Sequence, residues 1–377
     1  MIIAINTCTR VSHFAVAGNA ITRQLATALA SHFPQYRFVL LTADAAVSGS
    51  NLAGNISLLP VTPPPASTLL WRYWYQYTLP AILRKQRATL FISTDGCCAL
   101  RTRIPQVLLL PDADRDAYPQ FFPGKEQRFF KKNTAAFLSK AARVLVHTAA
   151  DKTRLLRRYG LKDSQVAVTG YAIPPAFRPL TEEEKAAVKE KYTAGREYFL
   201  FAGKLDAAYE VINLLKAFSF FKKRQKSNMR LLLLANEIPA GFAAQFNTYK
   251  FRDEVSVLTA LPAEEKAAIL GAAYIFVYPA ACMPGHESYP LAAMQCGVPV
   301  IAGNPAFYTE RWGEAAVYSN ATDVADLAQK MMWLYKDENQ YKKMVHAGNQ
   351  LAATHSAGCF SSRVAEIIED LISSQTP

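Results

Sequence analysis

Three stretches of the chain combine residue types that could bind a charged or sugar-like ligand. In "FLFAGKLDAAYEV", Gly203 and Lys204 stand just past an apolar run. A lysine there can neutralise a diphosphate as a compact point charge, although a lysine that merely leaves a strand end would look the same. In "INTCTRVSHFAVAGNAITRQL", Gly18 and Asn19 open a helix. Its free N–H groups can approach a phosphate, and Asn19 can equally serve as a plain N-cap. The third stretch, "PGHESYPLAAMQCGVPVI" (residues 284–301), brings His286, Glu287, Ser288 and Tyr289 to a helix entry. Ser288 can cap that helix and Glu287 gains from its dipole, while the same free amides together with Glu287 can hold sugar hydroxyls or a phosphate. A lone loop histidine such as His286 is either a polar contact or simply solvated. Cys296-Gly297 stops the helix and Pro299 opens the next strand.

Placing three such stretches at strand exits requires a sheet whose loops gather on one edge. The pattern supplies it, because short apolar runs alternate with longer amphipathic stretches from end to end, as in repeated strand–helix–strand units. "IIAI", "RFVLLTA", "ISLLPV", "TLFIS", "QVLLL" and "RVLVH" read as strands of a first sheet. "LLWRYWYQYTLPAILRKQ" and "KEQRFFKKNTAAFLSKA" read as helices among them. "VAVTGYAIPPAFRPLTEEE" breaks the rhythm with a glycine and three prolines and reads as a linker. The grammar then restarts with "YFLFAG", "MRLLLLA", "VSVL", "YIFVYP" and "VPVI", separated by helices. The expected division is residues 1–170, a linker at 171–190, a second domain at 191–355, and a C-terminal helix at 356–377 packing back on the first domain. The expected fold class is α/β, two doubly wound Rossmann-like domains facing across a cleft, with ligands at the carboxyl ends of the strands.

At 377 residues with 51% apolar and 19% charged side chains, the chain can fill two cores. No basic leader precedes the first apolar segment and no apolar run approaches the roughly 20 residues a membrane span needs, so a cytoplasmic location is expected. The six cysteines (8, 97, 98, 282, 296 and 359) have no metal-ligand spacing, which predicts buried thiols and no metal. A net charge of +12 points either to an anionic partner or to a generally basic surface. Much of it sits in "LRKQR", Lys131-Lys132, "KTRLLRR" and "FKKRQK". Trp71, Trp74 and Tyr75 share a helix with Arg72, a stripe that is either core or an aromatic–basic face for a sugar or lipid-linked acceptor.

In order and spacing, "FAGKL", "RLLLLA", "VSVLTALPAEEKAAILGAAYIFVYPA", "AAMQCGVPVIAG" and "RWGEAAVYSNATDVADLAQKM" resemble the donor-binding domain of GT-B glycosyltransferases of family 4. The first half is similar more faintly, in "YWYQYTLPAILRKQRATLFIST", "YPQFFPGKEQRFF" and "AARVLVHTAADKTRLLRRYGL". The resemblance implies retaining transfer from a UDP- or GDP-sugar to a glycan or glycolipid, with no cofactor and no nucleic-acid partner. It also implies donor contacts at Gly18, Asn19, Gly203, Lys204 and residues 286–289. The family's pair of glutamates falls on Pro284 and Ala292, and its basic pair on Lys204 and Tyr209, so one cation remains. Where many members have His-Asp after a strand, this chain has Pro111-Asp112. Asp112 then either keeps a polar, catalytic group at the cleft or caps a turn after proline. The expected activity is glycosyl transfer near the inner face of a membrane, with peripheral contact to anionic lipid. The alternative is a catalytically silent GT-B protein that binds a glycan, a nucleotide or a partner enzyme. A nicotinamide oxidoreductase ranks behind both, because no dinucleotide fingerprint follows the first strand.

Overall fold

The computed structural model describes residues 1–7, 18–42, 52–61, 68–111, 113, 124–280, 288–303, 305–320 and 322–374, with the side chains of 18–21, 68, 69 and 305 left aside. The chain divides into two compact units, one formed by Met1–Ala172 and Ser356–Pro377, the other by Ile173–Met283 and Glu287–His355.

The first unit runs β1 (Ile2–Asn6), α1 (Gly18–His32), β2 (Arg37–Thr42), β3 (Ile56–Pro60), α2 (Thr68–Tyr73), a π-helical turn (Trp74–Thr78) and α3 (Leu79–Lys85). It continues with β4 (Leu90–Ser93), β5 (Gln106–Leu109), α4 (Gly124–Lys140), β6 (Arg143–Val146), α5 (Ala149–Tyr159) and β7 (Val166–Val168). The strands form one sheet in the order β3-β2-β1-β4-β5-β6-β7, every pair parallel. Successive side chains of a strand point to opposite faces, so each strand feeds two cores. Ala4, Val39, Leu41 and Phe91 pack on one face with Trp71 and Phe137, and Ile3, Ile5, Phe38 and Leu40 on the other with Leu25 and Leu29.

The second unit runs α6 (Glu182–Thr193), β8 (Tyr198–Ala202), α7 (Val211–Gln225), β9 (Arg230–Leu234), α8 (Ala240–Asn247), β10 (Val255–Leu258) and α9 (Ala263–Gly271). It ends with β11 (Ile275–Tyr278), α10 (Ser288–Gln295), β12 (Val300–Ala302), α11 (Pro305–Trp312), β13 (Val317–Tyr318), α12 (Val324–Lys336) and α13 (Glu338–Ala353). Its sheet, β10-β9-β8-β11-β12-β13, is again all parallel. The final helix, α14 (Ala357–Ser373), belongs to the first unit, where Phe360, Val364, Ile368 and Leu371 join the core formed by α1. His32 and Glu369 tie the two helices at 2.9 Å on the surface.

Four local readings change. The helix expected over 69–86 contains a π turn, in which the N–H of Leu79 donates to the carbonyl of Trp74. Pro80 follows directly and has no N–H to give, so a widened turn absorbs the missing donor. The stretch "VAV", read as the start of a linker, is instead the edge strand β7. Within the stretch read as linker, Thr181 and Glu184 form a capping box that starts α6, and Leu180 lies against Gly271 of α9. Lys222 of the basic "FKKRQK" run is buried, donating to the carbonyls of Ser227 and, at 3.1 Å, Met229, and pairing with Glu254.

Because α14 completes the core over α1, truncating one of its buried side chains opens a cavity in the first unit. Ile368→Ala is expected to cost about 2–5 kcal/mol. Urea unfolding followed by circular dichroism checks it, and a loss within 0.5 kcal/mol of zero would mean that α14 is not part of that core.

Candidate active site

A parallel sheet fed by crossovers places its loops on two edges, and ligands of doubly wound sheets collect where the strand order reverses, outside the carboxyl ends. In the first unit the order reverses between β1 and β4, in the second between β8 and β11.

At the first reversal a buried polar network joins the two strand ends. Asn6, fully buried at the end of β1, donates from Nδ2 to the Tyr75 hydroxyl at 3.0 Å. The Tyr75 hydroxyl in turn donates to Oδ2 of Asp95. Ser93, the last residue of β4, donates to Oδ1 of Asp95 at 2.9 Å, and the N–H of Cys97 reaches the same oxygen at 3.3 Å. Thr94 completes the join by donating to the carbonyl of Asn6 at 2.9 Å. Burial raises the Asp95 carboxyl to about 6, against the lowering effect of its hydrogen bonds from Tyr75 and Ser93. The same burial, aided by the neighbouring Asp95, pushes the Tyr75 phenol well above its usual range.

The loop that follows, Gly96 to Ala99, is itself buried, so its backbone groups need partners within the protein. Gln106 receives the N–H of Ala99 at 2.9 Å and donates to its carbonyl at 2.8 Å. Gln76, turned inward by the π turn, receives the N–H of Leu100 at 2.9 Å. Gly96 adopts φ +77°, where a side chain would be strained and where its Cβ would meet Leu110 at 3.2 Å. Cys97 and Cys98 are buried free thiols, and burial raises that of Cys98.

Farther along the same edge, His147 leaves β6 and stacks on Tyr171 with ring centroids 4.3 Å apart. Its Nδ1–H donates to the carbonyl of Gly170 at 2.9 Å, which leaves Nε2 as the acceptor nitrogen. Burial lowers this imidazole, so it is the neutral form that stands there at pH 7. Asn6, Asp95 and His147 went unread in the sequence. A polar residue ending an otherwise apolar strand run was the available signal, and it is a weak one.

At the second reversal, Gly203 and the exposed Lys204 follow β8. Gly203 is required by packing, since a Cβ there would come within 2.8 Å of the Tyr209 ring and 2.9 Å of Phe201. Asp206 caps the next turn by accepting from the N–H groups of Ala208 and Tyr209. Tyr209, on which the second position of the family's basic pair falls, is turned into the core, 6.0 Å from Phe201 and 5.9 Å from Tyr278 between ring centroids. Glu210 then enters α7 at φ +50° with its carboxyl raised by burial and receives Asn213 Nδ2 at 2.7 Å.

Beyond β11, Ser288 and Tyr289 open α10, both half-buried, with the Tyr289 phenol raised by burial. Ala292 is buried in that helix and offers no polar group. Cys296, at the far end, is buried and its thiol is pushed up to about 12. Asp112, His286, Glu287 and Pro284 lie outside the described residues, as do the side chains of Gly18 and Asn19, although Gly18 does begin α1.

The aromatic stripe resolves to core. Trp71, Trp74 and Tyr75 are buried, Trp71 stacking on Phe129 at 4.6 Å, so they cannot present a face to an acceptor; only Arg72 of that set is exposed. No group of His, Cys, Asp and Glu able to hold a metal ion occurs among the described residues.

Two outcomes are expected from this geometry. Asp95 has its folded-state value raised above the unfolded one near 4, so it favours the folded state fully below pH 4 and loses that contribution as the pH rises through about 6. The unfolding free energy of Asp95→Asn minus that of the parent should therefore climb by up to about 3 kcal/mol between pH 4 and pH 7. A difference independent of pH in urea titrations would show that Asp95 ionises normally. Separately, Gly203→Ala should lose about 1–3 kcal/mol by forcing Tyr209 aside, read as a lowered urea midpoint; an unchanged midpoint would show that the ring has room to move.

Residues 182–351 match the family model described as glycosyl transferases group 1. The O-antigen chain mannosyltransferase B of Escherichia coli is 22% identical over 230 residues, which span 59% of this chain and 58% of that protein. Sucrose-phosphate synthase from Thermosynechococcus elongatus superposes with a TM-score of 0.78 at 17% identity over 100% of both chains. Anabaena HepE, in complex with UDP and glucose, superposes with a TM-score of 0.74 at 12% identity, covering 98% of this chain and 100% of that one. With two all-parallel Rossmann-like units and this match over most of the second, the chain has the GT-B fold, and its residues 182–351 match the glycosyl transferases group 1 domain.

Proposed function

We propose that the chain transfers a sugar, with retention, from a nucleotide-sugar donor to a glycan or lipid-linked acceptor. The observation that carries this reading is the exposed Lys204 at the strand reversal of a group 1 domain, held on a glycine that packing requires. The leaving group in such a transfer is a nucleoside diphosphate, whose developing charge needs a fixed cation and oriented N–H donors. Lys204 supplies the cation, and the start of α10 at Ser288–Tyr289 supplies N–H donors within the same unit, while Gly18, Asn19, His286 and Glu287 are proposed as further donor contacts. UDP bound in the Anabaena relative fits a uridine or related nucleotide donor here. The mannosyltransferase relative supports a polysaccharide or glycolipid acceptor. Asp112 is proposed as the polar group nearest the transferred sugar. The net charge of +12 supports work at the cytoplasmic face of a membrane, in peripheral contact with anionic lipid. No described helix is long and apolar enough to cross one.

A second reading has its own support. Tyr209 and Ala292, at the positions of a family cation and a family carboxylate, are both buried, and a protein that keeps the fold while binding a glycan, a nucleotide or a partner enzyme without turnover would show the same loss. Isothermal titration separates the two. The transferase reading expects micromolar to sub-millimolar binding of a UDP- or GDP-sugar, weakened about tenfold by Lys204→Ala, as for the loss of a charge-assisted contact. No binding at millimolar donor would sink it. Unchanged affinity in the variant would move the diphosphate away from Lys204.

A further inference from the structure

We propose that the outer face of the α2–α3 helical segment, with the loop after β4, is the surface by which this protein docks on an anionic lipid bilayer. This inference rests on the peripheral-membrane part of the reading above and names the surface responsible. Half of the large hydrophobic residues exposed among the described residues gather here: Leu70 (51% exposed), Tyr73 (57%), Tyr77 (45%) and Leu100 (36%). Together with Arg72 and Arg101 they line a groove of about 530 Å³ within the first unit. Tyr73 and Tyr77 stack with centroids 4.8 Å apart, and the Arg101 guanidinium lies 4.3 Å over the Tyr77 ring.

The charge of this region selects the occupant. From Ala45 to Pro111 the sequence contains one carboxylate, Asp95, against six cations, Arg72, Arg84, Lys85, Arg87, Arg101 and Arg103. Asp95 is buried in the Tyr75 network, whereas all six cations are exposed. The groove is therefore lined by apolar and aromatic side chains with Arg72 and Arg101 among them and no carboxylate in its lining. Tyrosine rings suit the headgroup level of a bilayer, where the ring meets acyl chains and the hydroxyl stays wet. Guanidinium groups beside them reach lipid phosphates in fork geometry. The opposite side of the same segment buries Trp71, Trp74, Tyr75, Leu79 and Leu83, so the surface is held rigid by the core and needs no ordering on contact.

Sedimentation with phosphatidylcholine vesicles, with and without phosphatidylglycerol, tests the assignment. The parent protein should sediment with the phosphatidylglycerol vesicles, and less so as salt rises. Tyr73→Ser/Tyr77→Ser and, separately, Arg72→Gln/Arg101→Gln should each lower the partition coefficient at least about tenfold, since each basic residue near such a surface is worth roughly a fivefold change. All four side chains are exposed, and an unchanged circular dichroism melt would show that the variants remain folded. If the parent binds phosphatidylglycerol vesicles and both variants bind equally well, peripheral association stands and this surface is wrong. If the parent binds neither vesicle, both fall. Equal sedimentation with the two vesicle types would overturn the electrostatic selection on which the choice of occupant depends.

Discussion

A strand buried on both faces of a parallel sheet has no solvated side on which to carry polar groups. Both sheets of this protein are of that kind, and the strand interiors are accordingly Ile, Leu, Val and Phe, with almost every residue of β1, β4 and β8 out of contact with water. Polar chemistry is thereby confined to strand ends. At the carboxyl end of β1 stand Asn6 and Thr7, at that of β4 Ser93, Thr94 and Asp95, and at that of β8 Gly203 and Lys204.

The two reversal points meet this constraint in opposite ways. In the first unit the strand ends are sealed. Asp95 is consumed by Tyr75, Ser93 and the N–H of Cys97, and the following loop is satisfied by Gln76 and Gln106. Such a network is favourable only when every member is paired, and it fixes how β1 and β4 hand over to their loops. In the second unit the strand end instead carries the exposed Lys204, preceded by Gly203 on an aromatic floor of Phe201 and Tyr209, with Tyr278 packed on both rings. The aromatic floor explains why a glycine precedes the lysine. It also explains how Tyr209 serves the fold at a place where a charged side chain could not be turned inward without a partner.

Much of the architecture was legible because hydrophobic periodicity is local. Alternating apolar runs and amphipathic stretches gave the parallel sheets, and the cap residues of α5, α6 and α12 (Thr148, Thr181 and Asp323) lie where short-range hydrogen bonding puts them. Three elements resisted for equally physical reasons. The π turn depends on Pro80 acting four residues back. The edge strand β7 is three residues long and adjoins glycine and prolines, so its pattern is that of a loop until β6 pairs with it. Lys222 reads as one more surface cation until Glu254 and two loop carbonyls are folded around it.

The sequence by itself determined the fold class, the placing of Gly203 and Lys204 beyond a strand, and the kinship of the second half with group 1 glycosyltransferases, because each follows from residues close together in the chain. Only the tertiary structure decided which side chains of a helix face outward. The stretch Trp71-Arg72-Tyr73-Trp74-Tyr75 holds four aromatic rings in five positions, and nothing local ranks them. Packing against Phe129 and Phe130 draws in Trp71, Tyr75 packs edge-on to Trp71 and Trp74 to Tyr75 in the same core, leaving Tyr73 and Arg72 to solvent. Likewise, Asp95 became a buried carboxyl only when β1, the π turn and β4 met, since burial is a property of what surrounds a group and not of the group.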